Sequence, residues 1–136
     1  MANHQHNIAV AQKLLEGIGS GRDATEIAAL FDADVAFEIQ GDDGALPWIG
    51  RKTGRQAISD FIHDIRTLTE PIIFEVDDIL ASNSRAAIIG ALQTRIKATG
   101  KVTSTQFAII LTITNGVVIR FQMLEDSFDV SKAART

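Results

Sequence analysis

The sequence predicts an α+β fold in which three N-terminal helices pack on a curved, mostly antiparallel sheet. Three observations carry this prediction. Apolar residues recur with helical spacing as far as Leu68. From Ile72 onward the pattern becomes extended. Finally, Asn115-Gly116 lies between two long β-branched runs. This dipeptide is the strongest short hairpin signal, because a type I′ turn needs positive φ at both central residues. The order is helix, helix, strand, helix, then four strands in a meander, which excludes alternating βαβ units.

Residues 8–19 read as a helix, with Ala11, Leu14, Leu15 and Ile18 on one stripe and Gly17, Gly19 and Gly21 ending it. Asp23 and Glu26 have capping-box spacing and open a short second helix that turns Ile27, Leu30 and Phe31 inward. Asp32-Ala33-Asp34 breaks it. Val35 to Gln40 reads as a strand with Val35, Phe37 and Ile39 on one face. Gly41 to Gly50 is a loop that holds Trp48. Thr53 and Gln56 form a second capping box, opening a helix lined by Ile58, Phe61, Ile62, Ile65 and Leu68, with Pro71 at its exit. Strands follow at Ile72 to Ala81 and Arg85 to Ala98, then the pair flanking Asn115-Gly116. The run Phe107 to Ile113 is apolar almost without alternation, so cover is expected on both faces. Helices would supply one cover, and a partner subunit or second layer the other.

The 136 residues suit one domain, 1–136. Hydrophobic residues make up 46% and charged residues 22%, ordinary values for a globular chain. A net charge of −4 without basic clusters argues against nucleic acid and anionic membranes. Without cysteine there is no disulfide, thiolate metal site or cysteine nucleophile. No stretch reaches the roughly 18 apolar residues of a membrane span. Met1 to Asn7, with His4 and His6, lacks the apolar core of a signal peptide, so a cytoplasmic location is expected. No phosphate loop or Gly-x-Ser-x-Gly elbow occurs, and no cofactor is expected. Asp42-Asp43 and Asp77-Asp78 lack histidine partners, so no metal site is expected either.

Three segments resemble one family. Ala33 to Glu38 resembles a first strand, Trp48 to Ile58 a loop into a third helix, and Phe121 to Asp126 a last strand. In element order as well, the chain is similar to the nuclear transport factor 2-like superfamily, in its SnoaL-like branch, related to polyketide cyclases and ketosteroid isomerases. The resemblance implies a cystatin-like cone with an internal pocket and a homodimer paired through the outer sheet face. It spans isomerases, dehydratases, cyclases, hydrolases and non-catalytic binders, so it does not by itself assign a reaction.

The family's chemistries can be tested residue by residue. The isomerase base position falls on Ile39, which cannot move a proton, and Tyr is absent from the chain. The isomerase aspartate position falls near Ile110. Steroid-type isomerisation by that mechanism is therefore rejected, although Glu38 would serve as a base if a register slip turned it inward. A dehydratase-type histidine could only be His63, beside Asp64; it is either a boundary residue or a general acid/base at the rim. Cyclase-type chemistry needs a partly desolvated carboxyl, for which Glu125 and Asp126 are the candidates. Alternation places Arg120, Gln122, Leu124 and Asp126 on one face and Phe121, Met123 and Glu125 on the other. Asp126 matches the aspartate many relatives keep, or else the pair ends the strand in solvent or meets Arg51 or Arg55. The hydrolase pattern fails because Lys97 follows Arg95 where a carboxylate is wanted; Arg95 is expected on an exposed face across from a carboxylate. Candidate substrate-binding residues are Phe37, Trp48, Phe61, Phe107, Gln122 and Met123. Two functions remain open. One is general acid/base catalysis on an apolar small molecule, with a cyclic one as a candidate; the other is a non-catalytic binding or dimerisation module. A third possibility, a purely structural partner domain, would have a filled cone with no cavity.

Overall fold

A computed structural model describes residues 3–136; Met1 and Ala2, the start of the polar N-terminal stretch, lie outside the described residues. The elements are α1 (Asn3–Gly19), α2 (Ala24–Ala28), β1 (Phe31–Ile39), β2 (Gly50–Thr53), α3 (Arg55–Leu68), β3 (Thr69–Ala81), β4 (Arg85–Ile96), β5 (Val102–Thr114), β6 (Val117–Glu125) and α4 (Ser127–Ala134). The six strands form one curved sheet in the order β2-β1-β6-β5-β4-β3. β1 runs parallel to β6, and every other neighbouring pair is antiparallel. The helices cover the concave face, as the sequence predicts. No helix among the described residues is long and apolar enough to cross a membrane.

The β5–β6 hairpin turns as its dipeptide requires, with φ 51° at Asn115 and 78° at Gly116. Asp23 caps α2, accepting from the Thr25 amide at 2.9 Å and its hydroxyl at 2.8 Å. Arg95 lies opposite Glu70 in the β3–β4 ladder and pairs with it at 3.4 Å.

Several local expectations are corrected. Gly17 lies inside α1, buried where the helix meets Ile27, and the exposed carbonyls at the helix end are met by the Arg66 guanidinium. β1 starts at Phe31, not Val35. The polar Asp32-Ala33-Asp34 sits in a register irregularity against β6, with the Asp32 carboxylate accepting from the Asp34 amide at 2.9 Å. Thr53 does not cap α3: it pairs with Ala36 as part of β2, and Gly54 occupies the cap at φ 100° without a side-chain bond. β2 itself carries no readable pattern, because its four residues form an edge with three of them exposed. Pro71 falls inside β3 rather than before it, which an edge strand tolerates.

Phe107, Ile109, Leu111 and Ile113 are buried on the concave face, while Ala108, Ile110 and Thr112 are half-buried on the other. Phe37 and Phe121 stack at 5.3 Å, Phe61 tilts against both, and Trp48 meets Phe61 edge-on at 6.3 Å. These rings form one packed aromatic cluster. On the edge strand β3, Phe74 is 50% exposed yet stacks on the Phe107 ring at 5.0 Å. Gly90, which pairs with Phe107 on one side and Val76 on the other, has no side chain, and this leaves room for the Phe74 ring to reach across β4.

Candidate functional site

Glu125 ends β6 opposite Phe107, so strand alternation carries its side chain to the concave face with Phe121 and Met123. There it borders a small, partly open recess with Ile39, Gln40, Gly41, Trp48, Ile49, Ser127 and Val130. Glu125 is half-buried, its carboxyl oxygens keep some contact with solvent, and the carboxyl has no hydrogen-bond or ion-pair partner among the described residues. Burial therefore acts unopposed and pushes its pKa up to about 7. It is the one ionisable side chain lining the recess among the described residues. The recess volume is about 10 Å³, enough for a single water.

Three segments converge on this recess. β1 delivers Ile39, at the position where the isomerase resemblance wants a base. The loop from Gln40 to Ile49 folds Leu46, Trp48 and Ile49 inward, and Lys52 holds it by donating to the Pro47 carbonyl at 2.6 Å. Trp48 is 7% exposed, so its indole forms an inner wall. The third segment is α4, which supplies Ser127 and Val130 and which the sequence reading did not include. Its signal was present: Asp126, then Asp129 three residues on, then Val130 and Ala133 with helical spacing.

That helix determines the place of Asp126. The Asp126 side chain caps α4, accepting from the Asp129 amide at 3.1 Å, and the residue is exposed and does not line the recess. Neither Arg51 nor Arg55 pairs with the Glu125-Asp126 segment; they bind Glu38 and the Phe31 carbonyl. His63 is exposed on α3, next to the buried Ile62, and is not part of the recess either. Glu38 is not turned inward. It lies between Arg51 at 2.7 Å and Arg120 at 3.4 Å, and the Arg51 hydrogen bond holds its carboxyl below the usual range.

Of the candidate binding residues, Phe37, Phe61 and Trp48 form the aromatic cluster, with Trp48 alone on the recess wall. Phe107 and Met123 are buried on the concave face. Gln122 is half-buried and pairs with Ile110, on the face opposite Met123. Behind Ile39 to Gly41 an open groove of about 420 Å³ carries the Glu38–Arg51 pair and Asp43, and is more polar than apolar. Among the described residues no three His, Asp or Glu side chains gather to hold a metal ion.

Known proteins give the arrangement its context. The SnoaL-like domain matches residues 11–121. None of the curated proteins matches the sequence. Among solved structures, an NTF2-like protein from Burkholderia xenovorans LB400 superposes with a TM-score of 0.87 at 19% identity, covering 97% of this chain and 98% of that one. A protein with a ketosteroid isomerase-like fold from Catenulispora acidiphila DSM 44928, in complex with trimethylamine, gives 0.73 at 14% identity, covering 92% and 91%. TerC, co-crystallised with polyporic acid, gives 0.78 at 16% identity, covering 96% and 99%. These likenesses concern the fold, whereas the domain match takes in β1, the Trp48 loop, α3 and most of the concave strands, and on that ground the chain belongs to the SnoaL-like domain family.

Proposed function

We propose that this protein binds a small apolar molecule inside the cone and that Glu125 acts on it as general acid/base. The observation that carries this reading is a carboxyl desolvated beside Trp48, with its pKa raised to about 7 and no countercharge. A carboxyl poised there has both protonation states available at neutral pH, which proton transfer requires. Apolar walls with one convergent ionisable group are the usual composition of such a site. A cyclic carbonyl compound is the simplest substrate class, because cyclase- and isomerase-like reactions both move a proton next to a carbonyl. The test is deuterium uptake from heavy water by a panel of apolar cyclic ketones. Catalysis is expected to inflect near pH 7 and to fall about 10²–10⁴-fold in Glu125→Gln. Asp126→Asn and His63→Gln should stay within a few-fold of the parent. Uptake unaffected by Glu125→Gln would refute the assignment, and binding without exchange would favour a non-catalytic binding module.

A second observation supports a homodimer. Ile73, Leu80 and Ile89 are exposed on the outer sheet face, which continues through the half-buried Ala87, Ala91, Ala108 and Ile110. An apolar surface of this kind marks an interaction site. Pairing edge to edge along β3 would bring Glu70, Glu75, Asp77 and Asp78 of two copies together, so face-to-face packing is favoured. Sedimentation at micromolar concentration is expected to give the mass of two chains. A clean monomer would contradict the dimer without touching the Glu125 assignment.

A further inference from the structure

A recess with room for one water cannot take an organic ligand unless a wall moves. The walls differ in how firmly they are held. Ile39 belongs to a strand paired on both sides, and Trp48 and Ile49 are buried with Leu46. α4 is different. It has only eight residues, too few to be stable alone, and only Val130 and Ala133 are buried along it.

The other attachments of α4 are polar and close to solvent. The Asp129 carboxylate accepts from the Thr103 hydroxyl at 2.7 Å and the Ser104 amide at 2.9 Å. Asp42, in the Trp48 loop, accepts from Ser131 at 2.7 Å and Arg135 at 2.8 Å. Thr99 donates to the Ala133 carbonyl and Lys101 to the Arg135 carbonyl. Three of these bonds, those to Ser104 and the two made by Lys101 and Arg135, lie in solvent, where water can replace the partner at small net cost; those of Thr99, Thr103 and Ser131 are part-buried.

We infer that α4 is the movable wall of the recess: it docks to shield Glu125 and Trp48 from most of the surrounding water and lifts away to admit an apolar ligand, with Val130 setting the space that ligand can occupy. This rests on the reading of the recess as a ligand site. When α4 lifts, the half-buried Glu125 carboxyl becomes fully hydrated, so the helix also controls how far that carboxyl is desolvated.

Trp48 is the sole tryptophan, and acrylamide quenching of its fluorescence reports opening without any ligand. The full chain is expected to quench weakly. An Asp42→Ala/Asp129→Ala double variant that still melts cooperatively is expected to quench several-fold more strongly. Native-state hydrogen exchange on the unaltered chain gives a second reading that needs no variant: amides of residues 130–134 should exchange at least about 100-fold faster than those of residues 107–113. Quenching that stays at the parent value in the folded double variant overturns the inference. So does exchange in α4 as slow as in β5, which would mean that the helix leaves only when the whole chain unfolds. If α4 opens but added cyclohexanone never alters Trp48 quenching, the gate stands and the ligand-site reading falls.

Discussion

A Gly90→Ala chain is expected to be destabilised by about 3 kcal/mol, the upper range for overpacking a tightly built site. An added Cβ would lie 1.9 Å from the Glu75 carbonyl oxygen and 3.0 Å from both the Glu75 carbonyl carbon and the Phe107 ring. The first contact is with backbone, which has no rotamer to change. β3 carries a register irregularity between Val76 and Asp78 at this point, so its backbone already leans over Gly90. Relief would require the strand to move outward and give up part of its ladder with β4. The Phe74 ring would then lose its stacking on Phe107, the residue paired with Glu125. Urea titration measures the effect, and Gly19→Ala is the control, because nothing lies within 4 Å of a Cβ there. A Gly90→Ala chain within about 0.5 kcal/mol of the parent would show that β3 is free to shift.

The second large effect is the pH dependence of stability. Below pH 4.5, the ordinary value for Glu125, folded and unfolded chains both hold its proton, and ionisation contributes nothing. Between 4.5 and about 7 the unfolded chain releases the proton while the folded chain keeps it, so stability falls as pH rises. Above about 7 both forms are ionised and the loss levels off. At 1.36 kcal/mol per unit, the full effect is at most about 3 kcal/mol. Glu125→Gln removes this slope: between pH 5 and 8 the parent should lose stability relative to the variant, which should gain on it steadily up to pH 7. Asp23, Glu38, Asp42 and Asp129 act in the opposite sense, since hydrogen bonds hold their carboxyls low. Their contribution is lost only in acid, below the window in which Glu125 titrates. Parallel curves for parent and variant would mean that the carboxyl is hydrated in the folded chain.

The elements that were legible in the sequence are those whose cause is local. Asn115-Gly116 needs only its own two φ angles, and the stripe from Ile58 to Ile65 needs only helical spacing. The elements that were missed depend on neighbours far away in the chain. β2 is a strand because β1 offers it an edge, and Phe31 extends β1 because β6 pairs with it at Val118. The same distinction governs the site. Alternation separates Glu125 from Asp126, but it does not say which face is concave. Asp126 is suggested by the aspartate that similar chains keep, but its strand face turns outward, and α4 takes the carboxylate as a cap. Glu125 shares its face with Phe121 and Met123, and such company is what raises a carboxyl pKa.

The most direct measurement is a carbon-13 NMR titration of the side-chain carboxyls, with the Glu125 resonance assigned through Glu125→Gln. The structure predicts a midpoint close to 7 for that carboxyl. A midpoint near 4.5 would mean that water reaches it freely, and the proposal of a desolvated acid/base inside the cone would be contradicted.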